Sequence, residues 1–152
     1  MNPLRRTLLR TAGSCLLVAA GLLRPIRALA AEWNKAGFDA KGLAEALKSI
    51  GAVTSIESKG ILIKAPEIAE NGAVVPVEVT SKIPNTQSIA ILADKNPFPL
   101  IASFDLMDGA EGFVSTRIKM GQTSQIRAIV KADGKVYSAS REVKVTIGGC
   151  GG

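Results

Sequence analysis

The sequence contains no histidine, so it lacks the side chain that most often serves as a general base near neutral pH. A Ser-His-Asp triad and the usual transition-metal sites are excluded for the same reason. Aromatic residues make up only 4% of the chain. Neither a phosphate-binding glycine loop nor a dinucleotide-binding fingerprint occurs. These absences predict a protein that is not an enzyme and binds neither a metal nor a cofactor.

The chain also lacks an apolar run long enough to cross a membrane. Residues 11–23 are uncharged and mostly apolar, but they are fewer than the ~20 residues that a spanning helix needs. Arg5 and Arg6 begin a basic segment before this run, and Ala28-Leu29-Ala30 fits the small-x-small pattern of signal cleavage. Residues 1–30 are therefore predicted to be a twin-arginine export signal, cleaved near Ala30. The predicted location is the periplasm, with no stable membrane association after cleavage; an uncleaved membrane anchor is the alternative.

The basic charge of the chain is concentrated in this predicted signal. The whole chain has 19 basic and 13 acidic residues, which gives a net charge of +6. Residues 1–30 hold five arginines and no acidic residue, so residues 31–152 carry 14 basic and 13 acidic side chains. The remaining domain is almost neutral and shows no basic aromatic patch, so no nucleic-acid partner is predicted.

Cysteine is scarce, and only one of the two cysteines lies outside the predicted signal. Cys15 falls within residues 1–30, which leaves Cys150 as the single cysteine of the mature chain. Structural cysteines pair in an oxidising compartment, so an odd cysteine indicates either a bond to another chain or a reactive thiol.

Glycines surround this cysteine in the final segment Gly148-Gly149-Cys150-Gly151-Gly152. Glycine has no side chain to hold a fixed conformation, so residues 148–152 are predicted to form a flexible arm. The sulfur could then swing roughly 10 Å from the last sheet position. A thin arm of this kind suits a thiol that is carried into the active sites of other proteins. The alternatives are a disulfide to another chain and an incidental thiol at a frayed end.

Residues 31–147 predict one domain that begins with a helix. Apolar residues repeat at helical spacing, which forms one stripe. Asp39 is placed to cap this helix, which runs to about Ile50 and stops at Gly51. We expect the helix to cover the end or one face of the domain; a dedicated docking helix is the alternative. The stripe consists of Ala36, Ala40, Leu43, Leu47 and Ile50.

Short strands separated by turns follow the helix and predict a mainly β, antiparallel, immunoglobulin-like β-sandwich. Asp133-Gly134 predicts a hairpin, and Pro76 predicts an edge strand or a bulge. Arg127 and Lys131 are expected to lie on a solvated strand face. The predicted strands occupy residues 61–63, 75–80, 88–93, 100–107, 113–120, 124–132 and 135–147.

The ending of the chain closely resembles that of the SoxY family, the sulfur carriers of the periplasmic thiosulfate-oxidation (Sox) system. The resemblance covers essentially the whole predicted mature chain, and the Gly-Gly-Cys-Gly-Gly ending is specific at that position. The segments that carry it are Val143-Lys144-Val145-Thr146-Ile147 with the glycine-cysteine ending, Pro66-Glu67-Ile68-Ala69-Glu70-Asn71-Gly72-Ala73-Val74-Val75-Pro76-Val77, Ala93-Asp94-Lys95-Asn96-Pro97 and Ser115-Thr116-Arg117-Ile118-Lys119-Met120.

This resemblance implies a substrate carrier without turnover of its own. Cys150 corresponds to the covalent attachment point for thiosulfate-derived and other sulfur intermediates. The implied stable partner is a SoxZ-like subunit, exported with the chain as a folded heterodimer. The implied transient partners are a SoxAX-like haem enzyme, a SoxB-like hydrolase and, where present, a SoxCD-like molybdenum enzyme. The competing interpretation is a periplasmic β-sandwich interaction module that is linked to a partner chain by a Cys150 disulfide.

Overall fold

The computed structural model describes residues 33–146. The predicted signal with Arg5 and Arg6, and the predicted arm with Cys150, lie outside the described residues. The domain boundaries predicted at residues 30 and 147 therefore stay predictions. From Asn34 onwards the described residues belong to one compact unit.

Two short helices and nine strands make up the described part of the chain. None of these helices is long and apolar enough to cross a membrane. The helices are α1 (Lys35–Asp39) and α2 (Leu43–Ser49). The strands are β1 (Ile56–Glu57), β2 (Ile61–Lys64), β3 (Ile68–Ala69), β4 (Val75–Ser81), β5 (Thr86–Ala93), β6 (Leu100–Asp105), β7 (Phe113–Ile118), β8 (Ser124–Ala132) and β9 (Lys135–Val145).

The strands form two sheets that enclose the main core. The larger sheet has the order β1-β9-β8-β5-β6, with β3 also paired to β9, and the smaller sheet has the order β2-β4-β7. The pairings are antiparallel except for β1 and β3, which both run parallel to β9. Val77 of the smaller sheet packs with Ile89 and Ile126 of the larger sheet in one buried cluster. The predicted mainly β sandwich is confirmed, with a small parallel component.

Strands β5 and β8 are buried on both faces. Ile89 and Ile91 face the core between the sheets, whereas Leu92 and Ile129 belong to a second cluster beneath the helices. Burial on both faces explains the continuous apolar runs at residues 89–93 of β5 and 128–130 of β8, whereas the other positions of both strands include partly exposed polar residues. The helices therefore cover one face of the larger sheet, as predicted.

Two short helices replace the single helix that the apolar stripe predicted. Asp39 was expected to cap the helix, but it is the last residue of α1. The cap of α1 is Asn34, whose side chain accepts a hydrogen bond from the Gly37 N–H at 3.0 Å. Ala40 then turns extended, with ψ of 127°, and α2 starts after Gly42 without a side-chain cap. The break places Ala40 in the cluster beneath the helices, where it is buried.

The predicted helix end at Gly51 and the predicted hairpin at Asp133-Gly134 are confirmed by left-handed backbone angles. Gly51, which follows α2, has φ of 67°, and Asp133 and Gly134 have φ of 49° and 71° between β8 and β9. Positive φ at both central residues matches the twist of a two-residue hairpin, and glycine adopts it without a steric penalty.

Pro76 does not lie on an edge strand, because β4 is the central strand of the smaller sheet. It pairs with Arg117 of β7 on one side. On the other side β2 pairs only with residues 78–81 of β4, so its ladder ends before Pro76. The position of Pro76 is therefore locally edge-like, where the missing N–H of proline is tolerated.

Candidate functional site

The C-terminal end of β9 is the described strand end that lies nearest in sequence to the predicted carrier cysteine. Cys150 and its flanking glycines, Gly148, Gly149, Gly151 and Gly152, lie outside the described residues. Thr146 is the last described residue and precedes Cys150 by four positions. We call residues 144–146 the arm root, because the predicted arm continues from them.

The segment around β3 holds the arm root on one side. The Lys144 N–H donates to the Glu67 carbonyl at 2.9 Å, and the Thr146 N–H donates to the Ala69 carbonyl at 3.2 Å. The Thr146 hydroxyl also donates to the Glu70 carbonyl at 3.1 Å. The arm root is thus tied by backbone and side-chain bonds to a segment that is distant in sequence.

A threonine side chain holds the other side of the arm root. The ladder between β8 and β9 ends at the pair Ser124 and Val143, before the arm root begins. Beyond that pair the Val145 N–H donates to Thr123 Oγ1 at 2.9 Å, and the same hydroxyl lies 3.5 Å from the Val145 carbonyl, to which it donates. Thr123 therefore supplies the hydrogen bonds that a longer strand would otherwise provide.

Asn96 joins the β5–β6 loop to the β7–β8 loop at the same end of the sandwich. Its side-chain amide donates to the Lys119 carbonyl at 2.7 Å and accepts from the Gly121 N–H at 3.1 Å. The side chain of Gln122 donates to the Lys95 carbonyl at 3.2 Å, which adds a second link between the two loops. These contacts fix the segment that carries Thr123.

The turn at Asn71 connects the segment around β3 to the same loops. The Asn71 side chain accepts a hydrogen bond from the Ala73 N–H at 2.8 Å, which stabilises the turn. The buried Gly72 accepts from the Met120 N–H at 2.7 Å through its carbonyl. The internal segments that carried the sequence resemblance therefore converge at the end of the sandwich where the arm root lies.

Arg127 is not on a solvated face, so that prediction is wrong. Its guanidinium donates to Asp94 through Nη2 at 2.8 Å and Nε at 3.3 Å. The side chains of Arg127 and Asp94 are only 28% and 15% exposed. The hydrogen bond to Asp94 raises the pKa of Arg127, with desolvation acting in the opposite direction. This cation is thus part of the support behind the β5–β6 loop.

A shallow depression beside the arm root carries side chains of both charges, and Ile68 within it is 57% exposed. Among residues 33–146, no group of three or more His, Cys, Asp or Glu side chains is placed to bind a metal ion. The described groups at this end position the backbone and contribute no reactive nucleophile to the depression. Its lining residues are Glu67, Ile68, Arg141, Glu142 and Lys144.

Sequence reasoning missed the supporting roles of Thr123, Thr146 and Asn96. Asn96 and Thr146 lie within the segments that resembled the SoxY family. The resemblance therefore included these two residues, but it did not predict which groups they bind. The bonds of Asn96 span 23 and 25 residues, and those between Thr123 and Val145 span 22. Partners so far apart depend on strand register, which local sequence patterns do not specify.

Comparison with known proteins identifies the family of this chain. The model of the family described as sulfur oxidation protein SoxY matches residues 47–150, a region that ends at Cys150. The structure is similar to the sulfur carrier protein SoxY from Chlorobium limicola f thiosulfatophilum, with 46% identity and a TM-score of 0.62 over 69% of this chain and 96% of that one. No significant match occurs among curated proteins.

A more distant structural likeness concerns the fold alone. A superoxide reductase (neelaredoxin) from Ignicoccus hospitalis is 22% identical, with a TM-score of 0.50 over 56% of this chain and 78% of that one. The match of the family model over residues 47–150 and the 46% identical structure agree with each other and with the segments gathered around the arm root. The chain therefore belongs to the SoxY family of sulfur oxidation proteins.

Proposed function

We propose that this protein carries sulfur intermediates of thiosulfate oxidation covalently on Cys150 and presents them to partner enzymes. The observation that carries the proposal is the family match, which runs to Cys150 itself. The similar protein from Chlorobium limicola f thiosulfatophilum is a sulfur carrier. Cys150 is also the only cysteine outside the predicted signal, so no second attachment site competes with it.

The anchored arm root supports this role because it gives the thiol a fixed starting point. Val145 and Thr146 are hydrogen-bonded on opposite sides, to Thr123 and to the segment around β3. Cys150 follows Thr146 by four residues, so the sulfur can reach at most roughly 14 Å beyond the anchor. A rigid domain with a short, thin extension allows the substrate to enter a partner's active site while the sandwich stays outside.

The chemistry on the thiol begins with an oxidative coupling. The Cys150 sulfur forms a bond to the sulfane sulfur of thiosulfate, the thiol proton is released, and an electron pair passes to a haem enzyme. The product is a cysteine S-thiosulfonate. Water then attacks the terminal sulfonate in a hydrolase, which releases sulfate and a proton and leaves a persulfide on Cys150. A molybdenum enzyme, where present, would accept six electrons as the outer sulfur of this persulfide takes three oxygens from water and becomes a sulfonate. A second hydrolysis then releases this sulfonate as sulfate and restores the thiol.

The proposed setting is the periplasm, in a heteromer with a SoxZ-like subunit. Arg5, Arg6 and the Ala28-Leu29-Ala30 motif support export of the folded protein and cleavage before Ala31. N-terminal sequencing of the exported protein should start at Ala31, and a mature form that keeps residues 5–23 and stays with membranes contradicts the proposal.

Native mass spectrometry of protein purified from the periplasm should show a second, β-rich subunit; a monomer at micromolar concentration contradicts the proposed complex.

The role of Cys150 is tested with a matched pair of serine variants. Cys150→Ser should abolish thiosulfate oxidation in a system reconstituted with the partner enzymes, while thermal unfolding and subunit binding stay unchanged. Cys15→Ser, within the predicted signal, should leave the exported protein fully active. Full activity of Cys150→Ser overturns the carrier proposal. A dimer that dissociates completely on mild reduction, with no sulfur adduct, supports the alternative of a disulfide-linked interaction module.

A further inference from the structure

We propose that Thr123 and Thr146 are positioning residues that fix where the carrier arm leaves the sandwich. The proposal rests on the carrier function proposed for Cys150 and adds a means by which the described domain controls that site. The hydroxyls of the two threonines act on the backbone of the arm root, and through it on the length of chain that can move with Cys150.

The first step of the argument is that the arm root lies beyond the antiparallel ladder. The pairing of β8 with β9 stops at Val143, so beyond it β9 has a strand neighbour on one side only, where β3 pairs with Lys144 and Val145. The hydroxyl of Thr123 accepts the Val145 N–H at 2.9 Å and donates to the Val145 carbonyl at 3.5 Å. One side chain thus satisfies both backbone groups of Val145 at the point where the ladder has ended.

The second step concerns Thr146, which is exposed and therefore contributes little buried apolar surface. Its N–H and its hydroxyl donate to the carbonyls of consecutive residues, Ala69 and Glu70, at 3.2 and 3.1 Å. Hydrogen bonds at an exposed strand end add little to global stability because water competes for the same groups. Their clearer consequence is local, since they keep the last described residue in register with β3.

The third step is the effect on Cys150. With the arm root held on both sides, four residues separate Cys150 from its anchor at Thr146. Without the two hydroxyls, no bond from the β8 side holds the described chain beyond Val143, and only the backbone bonds to the segment around β3 hold the arm root. The effective concentration of a tethered group falls roughly as the −3/2 power of tether length. Complete fraying of this one-sided end back to Val143 would lengthen the tether from four to seven residues and lower the productive encounter with a partner's active site by about twofold at most. The loss of a defined exit direction should add to that.

The experiment uses the mature full-length chain in complex with its partner subunit and compares Thr123→Val, Thr146→Val and the double variant. Thr123→Ser keeps the hydroxyl and serves as the conservative rescue. Thr54→Val is the matched control, because Thr54 is an exposed threonine next to β1, which pairs with the opposite half of β9. The readouts are amide hydrogen exchange at positions 145 and 146, kcat and KM of the hydrolase step, thermal unfolding, and alkylation of Cys150 by iodoacetamide.

The expected result is a local loosening with a kinetic effect. Exchange at position 145 should be about fivefold faster in Thr123→Val, and kcat/KM should fall about twofold to fivefold in the double variant. This fall should come mainly from a higher KM, with kcat nearly unchanged. Thermal unfolding and alkylation should match the parent protein, Thr123→Ser should restore both exchange and kinetics, and Thr54→Val should change nothing.

Two results overturn the positioning role. Faster amide hydrogen exchange with an unchanged kcat/KM would show that the threonine bonds hold the strand end but do not affect the carrier arm. Unchanged amide hydrogen exchange would show that these bonds do not hold the strand end. Failure of the carrier function itself is recognised separately, because Cys150→Ser would then retain full activity whatever the threonine variants do.

Discussion

The two ends of strand β9 are built in different ways. At its start, β9 follows a two-residue turn in which Asp133 and Gly134 adopt positive φ. The nearby side-chain contact, from Asn85 to Asp133 at 3.0 Å, is exposed. At its finish, the arm root is held by Thr123 and by the segment around β3, with two loops tied together behind it. One end relies on backbone conformation, whereas the other combines backbone pairing to β3 with side chains that bind backbone groups.

This difference predicts which substitutions each end of β9 tolerates, and why. A turn held by backbone angles tolerates most side-chain changes but not the loss of its glycine. An end held by side-chain bonds between distant loops should lose stability on single substitutions at its less exposed supports, Asn96 and Arg127, whereas the exposed arm root should loosen only locally. The sensitive end is the one from which the predicted carrier arm departs, and the substitutions below test that contrast.

The largest effect is expected at the ion pair between Asp94 and Arg127. Arg127→Met should lower the free energy of unfolding by about 1–3 kcal/mol, because it leaves the mostly buried Asp94 carboxylate without its partner. The matched control is Lys64→Met, which breaks the Lys64–Glu78 pair on the outer face of the smaller sheet. That pair is exposed, so its loss should cost less than about 0.5 kcal/mol. Urea unfolding of both variants measures the difference, and equal costs contradict the contrast.

The pH dependence of the Arg127 contribution follows from the direction of its pKa shift. Asp94 raises the pKa of Arg127 above its ordinary value in the folded state. A pKa that is raised on folding stabilises the protein fully at any pH below the ordinary pKa of the group. This stabilisation is lost only as pH rises through the raised pKa. Protonation of Arg127 should therefore contribute no change in stability between about pH 6 and 9, since arginine stays charged there. Urea unfolding of the parent and Arg127→Met at several pH values in this window checks it, and a difference that grows or shrinks across the window contradicts it.

The next largest effect compares an asparagine at each end of the sandwich. Asn96→Ala removes the bonds to Lys119 and Gly121 and should cost about 1–2 kcal/mol. Asn85→Gly removes an exposed bond to Asp133 but relieves a left-handed backbone, with φ of 54°. These effects oppose each other, so the net change should stay within about 0.5 kcal/mol. Thermal unfolding of both variants measures the pair; a larger loss for Asn85→Gly reverses the comparison.

Apart from the two comparison variants Lys64→Met and Asn85→Gly, the smallest stability effect expected is at Gly134 of the β8–β9 turn. Gly134→Ala should cost about 1 kcal/mol, because a Cβ is disfavoured at φ of 71°. The space around this position is open, so the penalty is one of backbone conformation and not of a clash. Chemical unfolding measures the cost. A stable Gly134→Ala protein with no measurable loss shows that the turn adapts, and the backbone-based account of this end is then wrong.

Much of the sandwich was predictable because its signals are local. The alternation in β4 and the Asp133-Gly134 turn gave strands and a hairpin that the structure confirms. The break near Ala40 was not predictable from spacing, since the apolar stripe continues through it and the break depends on packing against the larger sheet. Strands β1 and β3 were missed because each has only two residues and depends on the exposed edge of β9.

The candidate site was predictable in its chemistry but not in its support. Cys150 stands out in the sequence because it is the single cysteine outside the predicted signal and glycines flank it. The roles of Thr123 and Arg127 could be recognised only once the register of β8 against its neighbouring strands was known. That register brings Thr123 to Val145, 22 positions away, and Arg127 to Asp94, 33 positions away. An isolated threonine or arginine carries no local mark of such a partner.

The most direct test of the carrier account is the intact mass of the protein isolated from cells that are oxidising thiosulfate. The account predicts adducts with the mass of sulfur, sulfonate or thiosulfonate, removable by a reductant and confined to the C-terminal peptide that contains Cys150. An unmodified Cys150 in protein from actively oxidising cells would contradict it.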